Sequence, residues 1–358
     1  MSRKNAILVA HETRMLNIGD DIQALASAQF MGNDAVFVER ENLKSYHGEN
    51  VRMIMNGWFM HDPKQWPPSS AIDPLFLAFH INIKAKDILL SDDNLNYLRQ
   101  HQPIGCRDLN TMKMLQEKNI DAFFSGCMTL TLGTRYRHEG PRKNICYWVD
   151  PFFKIQWNAS VILQAAKLCC CRPAAMIRLT RKRCGRLSIR KIVNTAAFFA
   201  CYRRVFAEDL LLDGVYLNHQ GTIVRPSNER ELLDQARALV CKYAEAALVV
   251  TSRIHCALPC LGLETPVVYI DDAEQQEASS CRLGGLLELF HFLSFEKGGL
   301  IVASSWLHGK ISFSSIPANK DAYKPLAARL SRAARAFAVS RENDGSNESQ
   351  SGNAKSGK

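Results

Sequence analysis

The sequence has no apolar run of the roughly 20 residues that a membrane-spanning helix needs, so it predicts no transmembrane segment. His11, Glu12 and Arg14 follow the first short apolar run directly, which indicates a first strand and not a signal peptide. Both observations predict a cytoplasmic protein. None of the 12 cysteines has the paired CxxC spacing of a zinc site, and most of them should be reduced, small buried residues.

Acidic residues are missing from a long internal stretch. Residues 154–207 contain no Asp or Glu, although the whole chain carries 35 of them and a net charge of +10. The cations of this stretch are Lys154, Lys167, Arg172, Arg178, Arg181, Lys182, Arg183, Arg186, Arg190, Lys191, Arg203 and Arg204. Apolar residues such as Ile162 and Leu163 lie between them. The composition favours a helical segment facing an anionic membrane or a lipid-linked substrate, with a solvated basic face as the alternative.

Strand-like and helix-like patterns alternate along the chain. Short apolar runs at 51–57 and 122–125 predict buried strands, and the spacing of apolar residues at 21–31 and 109–118 predicts helices. This alternation indicates parallel α/β layers. We see no recognised nucleic-acid motif, so nucleic acid is not an expected partner.

A length of 358 residues is typical of two domains. The polar stretch 135–143, which contains glycine and proline, indicates the boundary. We therefore predict an N-terminal α/β domain over 1–140 and a C-terminal one over 141–338. The tail 339–358 has almost no apolar residues and should be disordered.

The most informative stretch is LVVTSRIHCALPCLGLETPVVYI, residues 248–270. A strand over 248–251 should lead into a helix, for which Ser252 is a candidate cap. Arg253 and His255 then lie in or beside the first turn, where backbone N–H groups and the helix dipole favour an anion. The alternative is that Arg253 caps a carbonyl and His255 packs in the core.

Other polar residues follow predicted strands. Arg107 lies at a second strand-to-helix turn, and His80 and His219 lie at the ends of two further strands. In the segment NIGDD, Asp20 either caps the next helix or binds sugar hydroxyls. The aromatic pair at 58–59 either stacks on a sugar ring or covers the core.

Three segments carry a resemblance to a known family. They are NIGDD, GCRDLNTMKMLQEKNIDAFFSGCMTLTL and VVTSRIHCALPCLGLETPVVYI. In this order they resemble the polysaccharide pyruvyl transferase family over roughly 5–270, with the basic stretch as the least similar part. The resemblance implies an α/β fold of two Rossmann-like domains facing across a cleft, similar to GT-B glycosyltransferases. It also implies transfer of the enolpyruvyl group of phosphoenolpyruvate onto a sugar as a pyruvate ketal, with release of phosphate.

The resemblance assigns a role to each candidate residue. Donor binding would involve Arg107, Arg253, Ser252 and Ile254, because guanidinium forks and helix N–H groups suit a phosphate and a carboxylate. His255 is the preferred general acid and His219 the second choice. Acceptor binding on the N-terminal domain would involve Asn17, Asp20 and His80. The mechanism requires no metal and no cofactor besides phosphoenolpyruvate as the donor substrate.

Two other functions remain open at this point. A GT-B glycosyltransferase with a nucleotide sugar would use Arg253 to bind the diphosphate. A catalytically inactive scaffold in polysaccharide assembly would bind lipid through 154–207 and no donor. In either enzyme reading, the acceptor is a free or lipid-linked saccharide. Residues 154–207 would then bring a cytoplasmic protein to the inner face of the membrane.

Overall fold

The computed structural model describes residues 3–10, 17–154, 157–219, 227–272, 281–296, 299–302 and 306–339. The predicted tail, after Val339, lies outside the described residues. The described chain divides into two units by contacts. The first contains residues up to Leu132 together with 227–237 and 324–339, and the second contains 133–219 with 238–323, apart from the stretches that are not described. The late residues 324–339 thus group with the first unit, whereas 141–338 was predicted to be one C-terminal domain.

The first unit is built on a parallel sheet of six strands in the described residues. They are β1 (Lys4–Val9), β2 (Val36–Glu39), β3 (Val51–Phe59), β4 (Ile72–Ile81), β5 (Ile104–Cys106) and β6 (Ala122–Phe124). The strand order is β2-β1-β3-β4-β5-β6, and every pairing is parallel. The order changes direction between β1 and β3, which is the switch point where open α/β sheets bind ligands.

Four helices follow these strands in the first unit. They are α1 (Ile18–Met31), α2 (Lys86–Leu89), α3 (Asp92–Gln100) and α4 (Leu109–Gln116). Helix α1 starts where it does because the Asn17 side chain accepts a hydrogen bond from the Gly19 N–H, and two acidic residues in its first turn complement the dipole. Its apolar face packs on the sheet through Ile22, Leu25 and Ala26, which are buried.

The second unit repeats this strand order. Its strands are β7 (Lys143–Val149), β8 (Val215–Leu217), β9 (Ala246–Thr251), β10 (Val267–Asp272), β11 (His291–Glu296) and β12 (Gly299–Val302). The order β8-β7-β9-β10-β11-β12 matches that of the first sheet, strand for strand, and only the β11–β12 pairing is antiparallel. Its switch point therefore lies between β7 and β9.

The helices of the second unit cover an aromatic core. They are α5 (Gly133–Tyr136), α6 (Ala159–Cys171), α7 (Pro173–Cys184), α8 (Ile189–Tyr202), α9 (Glu208–Asp213), α10 (Glu229–Glu245, grouped with the first unit up to residue 237) and α11 (Ile254–Gly262). Trp148 of β7 is fully buried against Phe198 and Tyr202 of α8. Helices α6–α8 occupy most of the basic stretch 154–207.

Helix α12 (Lys324–Val339) returns the chain to the first unit. Arg329 donates a hydrogen bond to the Phe124 carbonyl at 2.8 Å and lies over the Phe123 ring. Leu330 and Ala334 are buried. The last helix thus completes the covering of the β6 side of the first sheet.

The two sheets are mainly parallel and are covered by helices, which confirms the predicted α/β class. The GT-B-like arrangement of two domains stays a prediction. Residues 284–295 contain no α-helix. The structure has 3-10 turns at Cys281–Leu283 and Leu287–Leu289, followed by β11. Gly285, with φ at +80°, ends any helix there.

Among the described residues, no single helix is long and apolar enough to cross a membrane. Helices α6 and α7 reach that length and apolar composition only when taken together, and they bend by 107° at the break between them.

Candidate functional site

Arg253 lies at the switch point of the second sheet. It is the N-cap residue of α11, in extended conformation, and its backbone N–H donates to the Thr251 hydroxyl at 2.9 Å. That hydroxyl donates to the Val149 carbonyl at the end of β7, at 2.9 Å. The junction after β9 is therefore tied to the end of the adjacent strand.

Asp150 holds the Arg253 guanidinium. Its Oδ2 accepts from Arg253 Nε at 3.0 Å and from the His219 backbone N–H at 2.9 Å. Asp150 has φ at +42°, in the left-handed region that Asp adopts more readily than most residues. This carboxylate was not among the predicted site residues, although its position directly after a strand-like run was the available signal. It joins two candidate residues on neighbouring connections.

Ser252 does not cap α11, and that prediction is wrong. Its hydroxyl accepts from the Phe152 N–H at 2.7 Å, and its carbonyl accepts from the Tyr269 hydroxyl at 3.3 Å. The Arg253 side chain makes no cap hydrogen bond either, and the first turn of α11 contains no acidic residue. The helix start at Ile254 thus presents backbone N–H groups and the positive end of the dipole.

The two candidate histidines of this unit have different surroundings. His255, on the first turn of α11, is half-buried. His219 is only 2% exposed, and its Nε2 lies 2.7 Å from the Tyr243 hydroxyl. Of these two candidates, His255 is the one that is partly open to solvent.

Cys256 lies beside His219 in the same buried network. Burial alone would raise the pKa of the Cys256 thiol, but hydrogen bonds from Cys260, His219 and Tyr243 outweigh it and lower that pKa to about 6. Burial, together with the hydrogen bond to Cys256, raises the pKa of Cys260. The His219 ring therefore belongs to an internal hydrogen-bond network under α11.

In the first unit, His80 and Asp108 form a buried pair. His80 Nδ1 lies 2.6 Å from Asp108 Oδ2, and both side chains are almost fully buried. Thr111 supports the pair, since its hydroxyl donates to the same carboxylate oxygen at 3.3 Å and its N–H donates to Oδ1 at 2.9 Å. A carboxylate on Nδ1 fixes the tautomer and the ring plane of a histidine, as acid–base catalysis requires.

The ionisation of Asp108 follows from these contacts. Burial alone would raise the pKa of Asp108. The opposing contributions are larger: they come from the His80 hydrogen bond, the charges of His80 and Arg107, and the Thr111 N–H. The net result is a pKa below the ordinary 3.8. Asp108 is therefore a carboxylate at neutral pH and not a proton donor.

Arg107 joins this pair. Its backbone N–H donates to the Phe79 carbonyl of β4 at 2.9 Å, and its Nε lies 3.9 Å from Asp108 Oδ2. Its side chain is 2% exposed. The adjacency of β4 and β5 thus brings together His80 and Arg107, which are 27 positions apart in sequence.

A small pocket lies at the switch point of the first sheet. It is lined by the ends of β1 and β3, the start of α1 and the residue after β2: Leu8, Val9, Ala10, Asp20, Gln23, Ala24, Arg40 and Asn56. Asp20 Oδ1 accepts from Gln23 at 3.2 Å. Arg40 Nη2 and Asn56 Oδ1 are buried without a hydrogen-bond partner among the described residues. These two orphaned atoms, one donor and one acceptor, are suited to a polar ligand.

The surroundings of this pocket give Asn17, Asp21 and the aromatic pair distinct roles. The Asn17 side-chain oxygen accepts the Gly19 N–H at 3.2 Å, so it acts as a cap. Burial and the charge of Asp20 raise the pKa of Asp21 to about 8, although Arg40 opposes the shift. Phe59 is fully buried and covers the core, while the Arg40 guanidinium lies over the half-buried Trp58 ring.

The predicted residues thus form two groups. The first unit joins His80 with Arg107 through Asp108 and places Asn17 and Asp20 at its switch point. The second unit joins Arg253 with His219 through Asp150, beside Ser252, Ile254 and His255. Within the described residues, no group of three or more His, Cys, Asp or Glu side chains could hold a metal ion.

Comparison with known proteins places these groups in a family. One similar solved structure is that of a functionally uncharacterized protein from Klebsiella pneumoniae, at 13% identity and a TM-score of 0.39, covering 80% of this chain and 89% of that one. No curated protein matches the chain. The family model of the polysaccharide pyruvyl transferases matches residues 17–273, a range that contains every predicted site residue. Since this match covers well over half of the 358 residues, the chain belongs to the polysaccharide pyruvyl transferase family of enzymes.

Proposed function

We propose that the protein transfers the enolpyruvyl group of phosphoenolpyruvate onto a saccharide as a pyruvate ketal. The observation that carries the proposal is Arg253, oriented by Asp150 at the start of α11, next to His255. A guanidinium and helix N–H groups at one junction are suited to a small dianion with a planar carboxylate. Family membership supports the pyruvyl transfer itself.

Donor binding is assigned to both arginines. Arg253 and the Ile254 N–H bind an anionic group of the donor, and Arg107 is the donor-binding candidate of the first unit. Ser252 supports the junction through its hydrogen bond from Phe152 and contributes to donor binding by fixing the backbone. A guanidinium is preferred to an ammonium at such positions because its fork matches two oxygens of a carboxylate or phosphate.

The chemical step begins with proton transfer to the methylene carbon. His255 gives a proton to C3, and C2 becomes electrophilic. The oxygen of one sugar hydroxyl bonds to C2 as its proton passes to a base. The bond from C2 to the phosphate oxygen then breaks, phosphate leaves, and a second hydroxyl adds at C2 to close the ketal. The proton of the second hydroxyl leaves with phosphate, and the base returns the proton of the first hydroxyl to His255 through solvent, so protons and charge balance over the cycle.

His255 is assigned as the acid in preference to His219. His255 lies on the first turn of α11 next to Arg253, whereas the His219 Nε2 is already engaged by the Tyr243 hydroxyl at 2.7 Å. His219 instead supports the junction through its backbone bond to Asp150.

Acceptor binding is assigned to the first unit. Asp20 and Arg40 line the switch-point pocket, where a carboxylate and a guanidinium suit sugar hydroxyls, and Asn17 fixes the start of α1 beside them. His80, oriented by Asp108, is the base that takes the proton of the attacking hydroxyl. The acceptor is a saccharide unit of a cell-surface polysaccharide or of its lipid-linked precursor.

One experiment tests the donor and the reaction together. The protein is incubated with phosphoenolpyruvate and a panel of free and lipid-linked glycans, and phosphate release and product mass are followed. We expect phosphate release that depends on the acceptor, and a product with the mass of a pyruvate ketal. A rise in melting temperature with a nucleotide sugar but not with phosphoenolpyruvate would instead indicate a glycosyltransferase. Binding of neither donor would indicate a scaffold.

A further inference from the structure

Helix α6 turns an apolar stripe towards solvent. Its inward face consists of Val161, Ala165 and Leu168, which are buried. Ile162 and Leu163 lie on the other face and are 53% and 71% exposed. The other exposed positions around them are the small residues Ala159, Ala166 and Cys170 and the polar residues Ser160 and Lys167. The solvent side of the helix therefore exposes two large apolar side chains, whereas the solvent side of a surface helix is ordinarily polar.

The residues around α6 extend this apolar surface. Trp157, just before the helix, is 51% exposed, and Leu187 and Ile189, at the start of α8, are 41% and 83% exposed. Nine large apolar side chains are exposed in the described residues, and five of them fall between positions 157 and 189. Single exposed apolar residues are ordinary, but such a concentration marks an interaction surface. We call 157–190 the basic-apolar surface.

Cations accompany these apolar residues. Some of the positive charges of 154–207 are used within the protein: Arg172 and Arg203 pair with Glu208, Arg178 lies near Asp213, and Lys182 donates to the Leu212 carbonyl. Arg183 is half-buried, with its guanidinium over the Phe198 ring. Lys167, Arg181, Arg186 and Arg190 are exposed, and none of them has an ion pair with another described residue. A net positive surface without interspersed acids favours an anionic partner.

We propose that the basic-apolar surface binds the interface of an anionic lipid bilayer. Trp157, Leu163 and Ile189 insert among the lipid headgroups and upper acyl chains, and the four exposed cations contact anionic headgroups. A tryptophan at the edge of such a surface is typical of membrane interfaces. The 107° bend between α6 and α7 suits helices that lie on the membrane more than a pair that crosses it.

Two other occupants fit these observations less well. The segment 340–358 of this chain has no large apolar residue that would cover Leu163 or Ile189. A second copy would bring the same positive surface against itself, so that like charges would repel. The proposal does not depend on the donor or on the reaction.

Vesicle flotation tests the proposal. The full chain is mixed with vesicles of phosphatidylcholine alone or with a third of phosphatidylglycerol, and the bound fraction is measured at two salt concentrations. We expect binding to the anionic vesicles, weakened by salt, and little binding to the neutral ones. The double variant Arg186→Gln/Arg190→Gln should bind the anionic vesicles roughly thirtyfold more weakly, and Leu163→Glu/Ile189→Glu should not bind measurably.

The matched control is Ile83→Glu/Ile88→Glu. These two residues of the first unit are 42% and 43% exposed, so the control introduces the same charges outside the basic-apolar surface. All the substitutions are at exposed positions, and unchanged thermal unfolding verifies that each variant folds. The control should bind vesicles like the wild type.

Three results would overturn the proposal. The first is a wild-type protein that does not bind anionic vesicles, and the second is a control that loses as much binding as Leu163→Glu/Ile189→Glu. The third is a wild-type dimer that Leu163→Glu/Ile189→Glu makes monomeric without any vesicle binding, since this identifies a second copy as the occupant. Phosphate release with a soluble acceptor is independent of all three, so failure here leaves the proposed reaction unaffected.

Discussion

Replacing Asp150 with Asn tests whether donor binding depends on the orientation of Arg253. The substitution keeps the shape of the side chain and one carbonyl oxygen, which can still accept the His219 N–H. It removes the negative charge that faces Arg253 Nε at 3.0 Å. The guanidinium is then free to adopt other rotamers, so part of the binding free energy must be spent on ordering it.

The magnitude follows from the exposure of the pair. The Asp150 side chain is 16% exposed and that of Arg253 is 38% exposed. A fully exposed ion pair stabilises by about 0–1 kcal/mol, and a hydrogen bond to a charged group by about 1.5–3 kcal/mol. Because Arg253 is partly exposed, solvent screens this pair, and we take its contribution to be about 1 kcal/mol, near the value for exposed ion pairs. We therefore expect Asp150→Asn to weaken donor binding roughly fivefold.

Steady-state kinetics with phosphoenolpyruvate distinguish the outcomes. Loss of ground-state binding raises KM and leaves kcat nearly unchanged. Arg253→Lys should cost more than Asp150→Asn, because it keeps the charge but loses the fork. Asp213→Asn, which removes an exposed carboxylate near Arg178, is the matched control and should have no effect. A lower KM in Asp150→Asn would refute the reasoning, since the carboxylate would then compete with the donor for Arg253.

Three further predictions concern the other site residues. Asp108→Asn should lower kcat by tenfold or more through loss of His80 orientation, and should destabilise the fold by about 3 kcal/mol at pH 7. The pKa of Asp108 is below 3.8 in the folded state, so its ionised form stabilises the protein above pH 3.8, and this stabilisation is lost as the pH falls through the folded-state pKa. Denaturant unfolding should therefore show that the difference in unfolding free energy between wild type and Asp108→Asn shrinks in acid. Asp21→Asn should stabilise the protein at pH 9 by on the order of 1–3 kcal/mol and much less at pH 5. The reason is that the pKa of Asp21 is about 8 in the folded state, so the wild type loses stability as the pH rises from 3.8 to about 8. Thermal unfolding of both proteins at pH 5 and pH 9 measures the difference. His255→Gln should abolish phosphate release but keep phosphoenolpyruvate binding, as calorimetry would verify.

Each of these has a contradicting outcome. Unchanged kcat in Asp108→Asn would remove the acid–base role of His80. An Asp21→Asn effect that is the same at pH 5 and pH 9 would show that Asp21 does not hold its proton in the folded state. Near-normal turnover in His255→Gln would make another group the acid, with His219→Gln as the next variant to measure.

Local sequence patterns were enough to predict some members of each candidate group, namely Arg253 and His255 in one and Arg107 in the other. The junction after β9 could be predicted because strand, cation, imidazole and helix are contiguous in sequence, and Arg107 follows the same rule. The partner of Arg253 could not be predicted, since Asp150 is 103 positions away and reaches it only through the adjacency of β7 and β9. Which strands are neighbours is decided by the packing of the whole sheet.

Errors arose where a side chain had several partners to choose from. Ser252 is a common cap residue, but its hydroxyl accepts from the Phe152 N–H, and the N-cap position of α11 is Arg253. Arg40 was missed because it follows a short strand in a charged segment, and only the register of β2 beside β1 brings it to the pocket.

The return of α12 to the first sheet has a consequence for biosynthesis. A chain emerging from the ribosome exposes β1 to β6 early, but Phe123 and Phe124 acquire Arg329 of their covering helix only after more than 200 further residues have been made. The first unit therefore becomes complete only when its final helix has been made. All strands of the second unit have been synthesised before that point. Ribosomes stalled after residue 323 should carry a first unit that proteases cleave more readily than the second.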